Sequence, residues 1–149
     1  MGCRAARRAG AALGWRGTAL AILGTGKVCY GASFFLIPPR PDGLDLLTRW
    51  CDLRHWSWLW IVAGAITFGS AFVPVGRDRW GFVAAVIPPI VWGTAYATAA
   101  ATGAYPRGAF VAVWYATSHV MLIVWISRVP EPGVPRRTTA RRGADGRPG

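Results

Sequence analysis

The sequence predicts an all-α membrane fold of four transmembrane helices in an up-down antiparallel bundle, with both ends of the chain in the cytoplasm. Three observations predict it. Residues 18–37, 56–73, 80–101 and 109–127 form apolar stretches close to the ~20 residues that an α-helix needs to cross ~30 Å of hydrocarbon. The connections 74–79 and 102–108 leave room only for antiparallel hairpins. The cations avoid all four stretches except at Lys27 and gather in the two tails. A backbone in lipid must satisfy its own hydrogen bonds, and helices do so within one segment.

Composition excludes most soluble alternatives. The chain is 53% hydrophobic, with a mean hydropathy of +0.32, too apolar for a typical soluble domain of 149 residues. A net charge of +11 raises nucleic acid as a partner. The charge lies at Arg4–Arg16 and Arg128–Arg147, in tails and not on a folded basic face, so no nucleic-acid role is expected. Cys3, Cys29 and Cys51 fall in the tail, the first span and the first loop, which predicts no intramolecular disulfide. No Cys/His cluster has zinc spacing, and neither a metal nor a cofactor is expected. Met-Gly-Cys opens the chain, but Ala6 stands where a myristoylation motif needs Ser or Thr. The first apolar run is too long for a signal peptide and lacks a small-x-small cleavage site.

Taken in order, residues 1–17 form a basic tail whose Arg4, Arg7 and Arg8 suit anionic headgroups. After the first span, the loop to residue 55 carries a second, shorter helical pattern. Asp42 is a candidate cap for a helix over 44–54, with Leu46, Trp50 and Leu53 on one face and an Asp45–Arg49 pair on another. Such a helix suits the outer headgroup layer. The turn after the second span holds Arg77 and Arg79 around Asp78, and the loop after the third has only Arg107. Residues 128–149 are rich in Pro, Gly and Arg, the composition of a disordered tail, with Arg136, Arg137, Arg141 and Arg142 as headgroup contacts. An even number of spans puts both tails on one side, and the positive-inside rule makes that side cytoplasmic in the cell membrane. Trp15, Trp56, Trp58, Trp80 and Trp125 mark span ends, where amphipathic rings prefer the headgroup region. Trp92 and Trp114 fall inside spans and are expected to pack between helices.

The candidate site lies at mid-membrane. Lys27 is the single lysine, near the centre of the first span, with Gly24, Tyr30 and Gly31 on its helical face. Glycines there permit close helix approach and turn Lys27 into the bundle. A charge at that depth costs ~2.5–3.5 kcal/mol, which makes it a functional candidate. His119, with Ser118, lies at a matching depth in the fourth span, ~12–14 Å from the same surface. No Asp or Glu lies in any span, so an internal ion pair is excluded and a neutral Lys27, water, a lipid phosphate or a bound anion remains. Pro88 and Pro89 fall at this level of the third span, remove two backbone donors and predict a helix break. Ala65-x-x-x-Gly69 and Ala95-x-x-x-Ala99 offer small-residue contact faces for partner helices or a second copy.

No Gly-rich phosphate loop, Ser–His–acid set or His-Glu-x-x-His motif is present, so an enzyme is not expected. The Arg-rich tails, the Gly-Arg-Asp-Arg-Trp-Gly turn at 76–81 and the Trp-rich spans resemble, in layout, small four-span membrane proteins of actinobacteria and their phages. The resemblance implies an accessory membrane protein without catalysis. Two specific alternatives are a holin-like permeabilising protein and a small transporter or channel subunit using Lys27, His119 and Pro88-Pro89.

Overall fold

A computed structural model describes residues 2–37 and 42–130, with side chains of the first helix from Leu13 onward. Every regular element among them is helical. Helix α1 covers Gly2–Leu36 and is interrupted at Gly14, where φ is +67°. That left-handed geometry is cheap only for glycine and separates the basic first turns from the apolar span. A single turn, α2 (Asp45–Thr48), precedes α3 (Leu53–Ser70) and α4 (Arg79–Ala101). The last rod is α5 (Gly108–Trp114), a π-helical segment Tyr115–Met121 and α6 (Leu122–Arg128). The arginines expected to meet headgroups, Arg4, Arg7, Arg8, Arg136, Arg137, Arg141 and Arg142, lie outside the described side chains.

Three helices are long and apolar enough to cross a membrane: Leu13–Leu36, Arg79–Ala101 and Gly108–Arg128. The second expected span differs in register. Its helix starts at Leu53 and ends at Ser70, so it takes in Arg54 and His55 and gives up Phe72 and Val73 to the turn. Helix α4 continues through Pro88 and Pro89 without interruption, and both prolines are buried.

Glycines set how closely the first two rods pack. Helix α1 lies along α3, which lies on α4, which in turn carries the last rod. Gly17, Gly24 and Gly31 recur every seven residues on the α1 face that meets α3. A Cβ on Gly24 would lie 2.5 Å from the Phe68 backbone nitrogen, and one on Gly31 2.8 Å from the Ser57 carbonyl oxygen. From the other side, a Cβ on Gly64 would sit 2.8 Å from the Val28 backbone nitrogen. The contact residue of α3 is therefore Gly64. Ala65 and Gly69 of the expected small-residue face point outward, and a Cβ on Gly69 would meet nothing within 4 Å. Ala95 and Ala99 of α4 are buried as expected.

One end of the bundle is closed by charge. Arg16 Nε donates to Asp78 Oδ2 at 2.7 Å, and its Nη1 donates to the Ser127 carbonyl. The guanidinium also lies over the Phe82 ring, 4.9 Å from its centroid. Asp78 accepts a second bond from the Gly76 amide at 3.0 Å. One side chain thus ties the first span, the hairpin turn and the end of the last rod together. Hydrogen bonds to an ionised group are worth ~1.5–3 kcal/mol, so Asp78→Asn should lower stability by about that amount. Thermal unfolding in detergent, followed by tryptophan fluorescence, measures it; an unchanged midpoint would show the clamp to be idle.

The opposite end is closed by apolar packing. The loop helix is shorter than expected: α2 has one turn, Leu44 stands at its cap, and no side chain caps it. Leu44, Leu47 and Leu53 turn into the bundle, while Trp50 is 82% exposed. The Trp56 indole N–H donates to the Leu47 carbonyl at 3.1 Å and pins the loop down. Among the described residues Arg16–Asp78 is the one ion pair, so the expected Asp45–Arg49 pair is absent. The loop is a plug on the bundle, held by burial of leucines, and not a helix floating on headgroups.

Candidate functional site: a polar layer between two apolar clusters

The core is divided in two. Phe34, Leu53, Trp60, Trp92, Ala95 and Tyr115, with the plug leucines, form the cluster at the plugged end. Leu20, Ala71, Phe82, Ala85 and Ile123 form the cluster at the clamped end. Each rod places its unusual residues between its contributions to the two clusters. Lys27 stands between Leu20 and Phe34, and Gly64 and Thr67 between Trp60 and Ala71. Pro88 and Pro89 stand between Ala85 and Trp92, and His119 between Tyr115 and Ile123.

Lys27 is 4% exposed. Its ammonium faces the Trp60 ring at 5.1 Å from the centroid, a cation–π contact strengthened by the dry surroundings. The carboxylates among the described residues are Asp42, Asp45, Asp52 and Asp78, all in loops, turns or helix ends and none in the layer. Trp60 continues into an aromatic network, with Tyr30 at 4.6 Å and Trp92 at 5.3 Å between ring centroids. The indole N–H groups of Trp60 and Trp92 are both buried and have no hydrogen-bond acceptor among the described residues. Tyr30 also packs edge-on against Phe34 at 5.0 Å. Tyr115 stacks on Tyr96 at 6.2 Å.

The π-helical segment explains how His119 reaches this layer. Its wider turn displaces Tyr115–Met121 from the regular ladder, and such segments cluster at functional positions. Ser118 Oγ donates to the Trp114 carbonyl and lies 2.9 Å from His119 Nδ1. The single hydroxyl proton is thereby committed to the carbonyl, so the Nδ1–H donates to Ser118 Oγ. In a neutral ring this arrangement makes Nε2 the acceptor. The ring packs on Trp114 at 4.7 Å and Tyr115 at 5.3 Å.

The four residues singled out from the sequence are thus distributed between two neighbouring rods: Lys27 and Tyr30 on the first, Ser118 and His119 on the last. Tyr30 packs on Trp60 beside Lys27, and Ser118 orients His119. Sequence reasoning missed Trp60, Trp92 and Tyr115 as parts of the site. The signal for Trp60 was its own helical register, which brings it to the glycine face beside Lys27. Of the two tryptophans expected inside the bundle, Trp92 is fully buried, whereas Trp114 is 54% exposed. Trp15, Trp58, Trp80 and Trp125 are exposed near rod ends, and Trp56 is half-buried against the plug.

Chemically the layer holds one buried cation and, among the described residues, no carboxylate. The Lys27 ammonium stands in the layer, and the two unpaired indole N–H groups belong to Trp60 and Trp92 of the adjoining plugged-end cluster. Among the described residues no group of three His, Cys, Asp or Glu side chains could hold a metal ion. No protein family, curated protein or solved structure matches this chain.

Proposed function

We propose that this chain is an integral membrane protein that crosses the bilayer four times with both termini in the cytoplasm, and that its Lys27 layer binds an anion. It belongs to the non-catalytic class of small transporter or channel subunits. The observation that carries this reading is Lys27, buried without a carboxylate between two apolar clusters. A buried ammonium without a carboxylate favours an anion as its partner. Helix α3 is ~27 Å long at ~1.5 Å per residue and lies beside α1 over its length, which supports counting it as a span. The clamp brings the start of the first rod and the end of the last to one surface, and the arginines of that surface support a cytoplasmic assignment.

Two experiments test this. Green fluorescent protein fused after residue 149 should fluoresce, and alkaline phosphatase inserted at residue 104 should be active; the reverse pattern overturns the orientation. Purified protein in phospholipid vesicles should pass chloride or phosphate and retain a trapped large dye. A holin-like reading is favoured by a different feature, the last rod, of whose membrane window only 11% is buried in the chain. That surface suits self-association. Abrupt dye release, with loss of membrane potential on induced expression, would replace the transport reading by the holin one.

A further inference from the structure

We infer that the clamped end carries a specific site for one acidic phospholipid, a proposal that rests on the membrane reading above. A groove of about 460 Å³ runs between α4 and α6. Its walls are Val83, Ile87 and Ile90 facing Val124, and Arg16 and Arg79 stand at its mouth. The dimensions identify the occupant. From Arg79 to Ile90 is eleven residue steps, ~16 Å at ~1.5 Å per step, and half of a ~30 Å hydrocarbon core is ~15 Å. The groove therefore runs from the polar end to the bilayer centre, the reach of an acyl chain in one leaflet.

The charge at the mouth is complementary to a phosphate. Arg16, Arg77, Arg79 and Arg128 stand at this end against Asp78, whose carboxylate is already engaged by Arg16 and the Gly76 amide. Arg79 has no carboxylate partner among the described residues, and its guanidinium lies over the Trp80 ring, 5.5 Å from the centroid. A guanidinium at the headgroup level with an apolar trough beneath it matches a phosphate ester above a hydrocarbon tail. An acyl chain also covers apolar groups that would otherwise meet poorly packed lipid. A second copy of this chain could fill the trough, but it would bring its own basic end against Arg79.

The test uses the full chain in mild detergent, titrated with dioleoyl phosphatidylglycerol or dioleoyl phosphatidylcholine and read by native mass spectrometry. The wild type should retain one phosphatidylglycerol at least tenfold more tightly than phosphatidylcholine. Arg79→Gln should abolish that preference. Ile87→Trp, at a half-exposed position that tolerates a larger side chain, should displace both lipids. Arg107→Gln, at the plugged end, should bind as the wild type does. Equal retention of the two lipids, or unchanged binding in Arg79→Gln and Ile87→Trp, overturns the site. A dimer that Ile87→Trp dissociates overturns it in favour of a second copy. Carbonate extraction of the expressed protein separates the two failures: release from membranes defeats the membrane reading, whereas retention without lipid preference defeats this site alone.

Discussion

Gly24→Leu should collapse the bundle, lowering stability in detergent by ~3 kcal/mol or more. The reason is geometric. A Cβ at this position would lie 2.5 Å from the Phe68 backbone nitrogen and 2.7 Å from its Cα, so a neighbouring main chain, not a yielding side chain, blocks it. Leucine adds three further carbons in the same direction. Helices α1 and α3 would have to separate, and separation also withdraws Trp60 from Lys27 and breaks the register of Gly31 and Gly64. Gly26→Ala is the matched control. Its Cβ would meet nothing within 4 Å, and alanine is favoured over glycine in a helix by ~0.5–1 kcal/mol. The two variants should therefore move the thermal midpoint in opposite directions. Circular dichroism of the purified proteins decides it, and equal effects would show that the seam does not hold the rods together.

How much of this was legible in the sequence follows from which features are local. The apolar lengths of the first, third and fourth rods are local sums, and they were readable directly. So was the common level of Lys27, His119 and Pro88-Pro89 along the rods, between the two clusters, because rise per residue converts position into height. The glycine face beside Lys27 was readable too, since i−3 and i+4 neighbours share a side of any helix. The start of α3 was not readable from hydropathy: Arg54 and His55 oppose it locally, and the packing of Leu53 against the plug overrides them. The plug was misread for the same reason. Periodicity offered Leu46, Trp50 and Leu53 as a face; Leu53 is buried and Leu46 packs on the cluster, but Trp50 is exposed, and burial against Phe34 and Trp92 adds Leu44 and Leu47, a choice that only the neighbouring rods can make.

The remaining surprises are tertiary in origin. Arg16 looked like one more cation of a basic tail, and nothing within the tail distinguishes it. Its role depends on Asp78 and Ser127, which stand 62 and 111 positions away. The π-helical turn leaves no composition signature; within it Tyr115 stacks on Tyr96 while Ser118 back-bonds to Trp114. The uninterrupted path of α4 through two prolines is likewise a matter of support, because the rods on both sides enclose Pro88 and Pro89.

Lys27→Met should make the protein more stable and eliminate its anion flux. This opposition distinguishes a binding residue from a structural one. The substitution keeps an unbranched apolar stem of similar length and deletes a charge that costs ~2.5–3.5 kcal/mol at this depth. Replacing unpaired buried charge by hydrophobic volume is neutral to stabilising, so the unfolding midpoint should hold or rise, by up to ~1–4 kcal/mol in free energy. Were Lys27 there to hold the bundle together through Trp60, the cation–π loss would lower the midpoint instead, by ~2 kcal/mol. Chloride or phosphate flux in vesicles supplies the second reading. An anion desolvated at Lys27 loses its only formal countercharge in the layer, which at ~1.4 kcal/mol per tenfold should reduce flux by a hundredfold or more for a ~3 kcal/mol loss. Lys27→Arg restores the charge and should recover part of it, and Lys27→Met with His119→Leu should be no worse than Lys27→Met alone if both serve one site. Unchanged flux in that double variant, with normal assembly, would remove the layer from the function altogether.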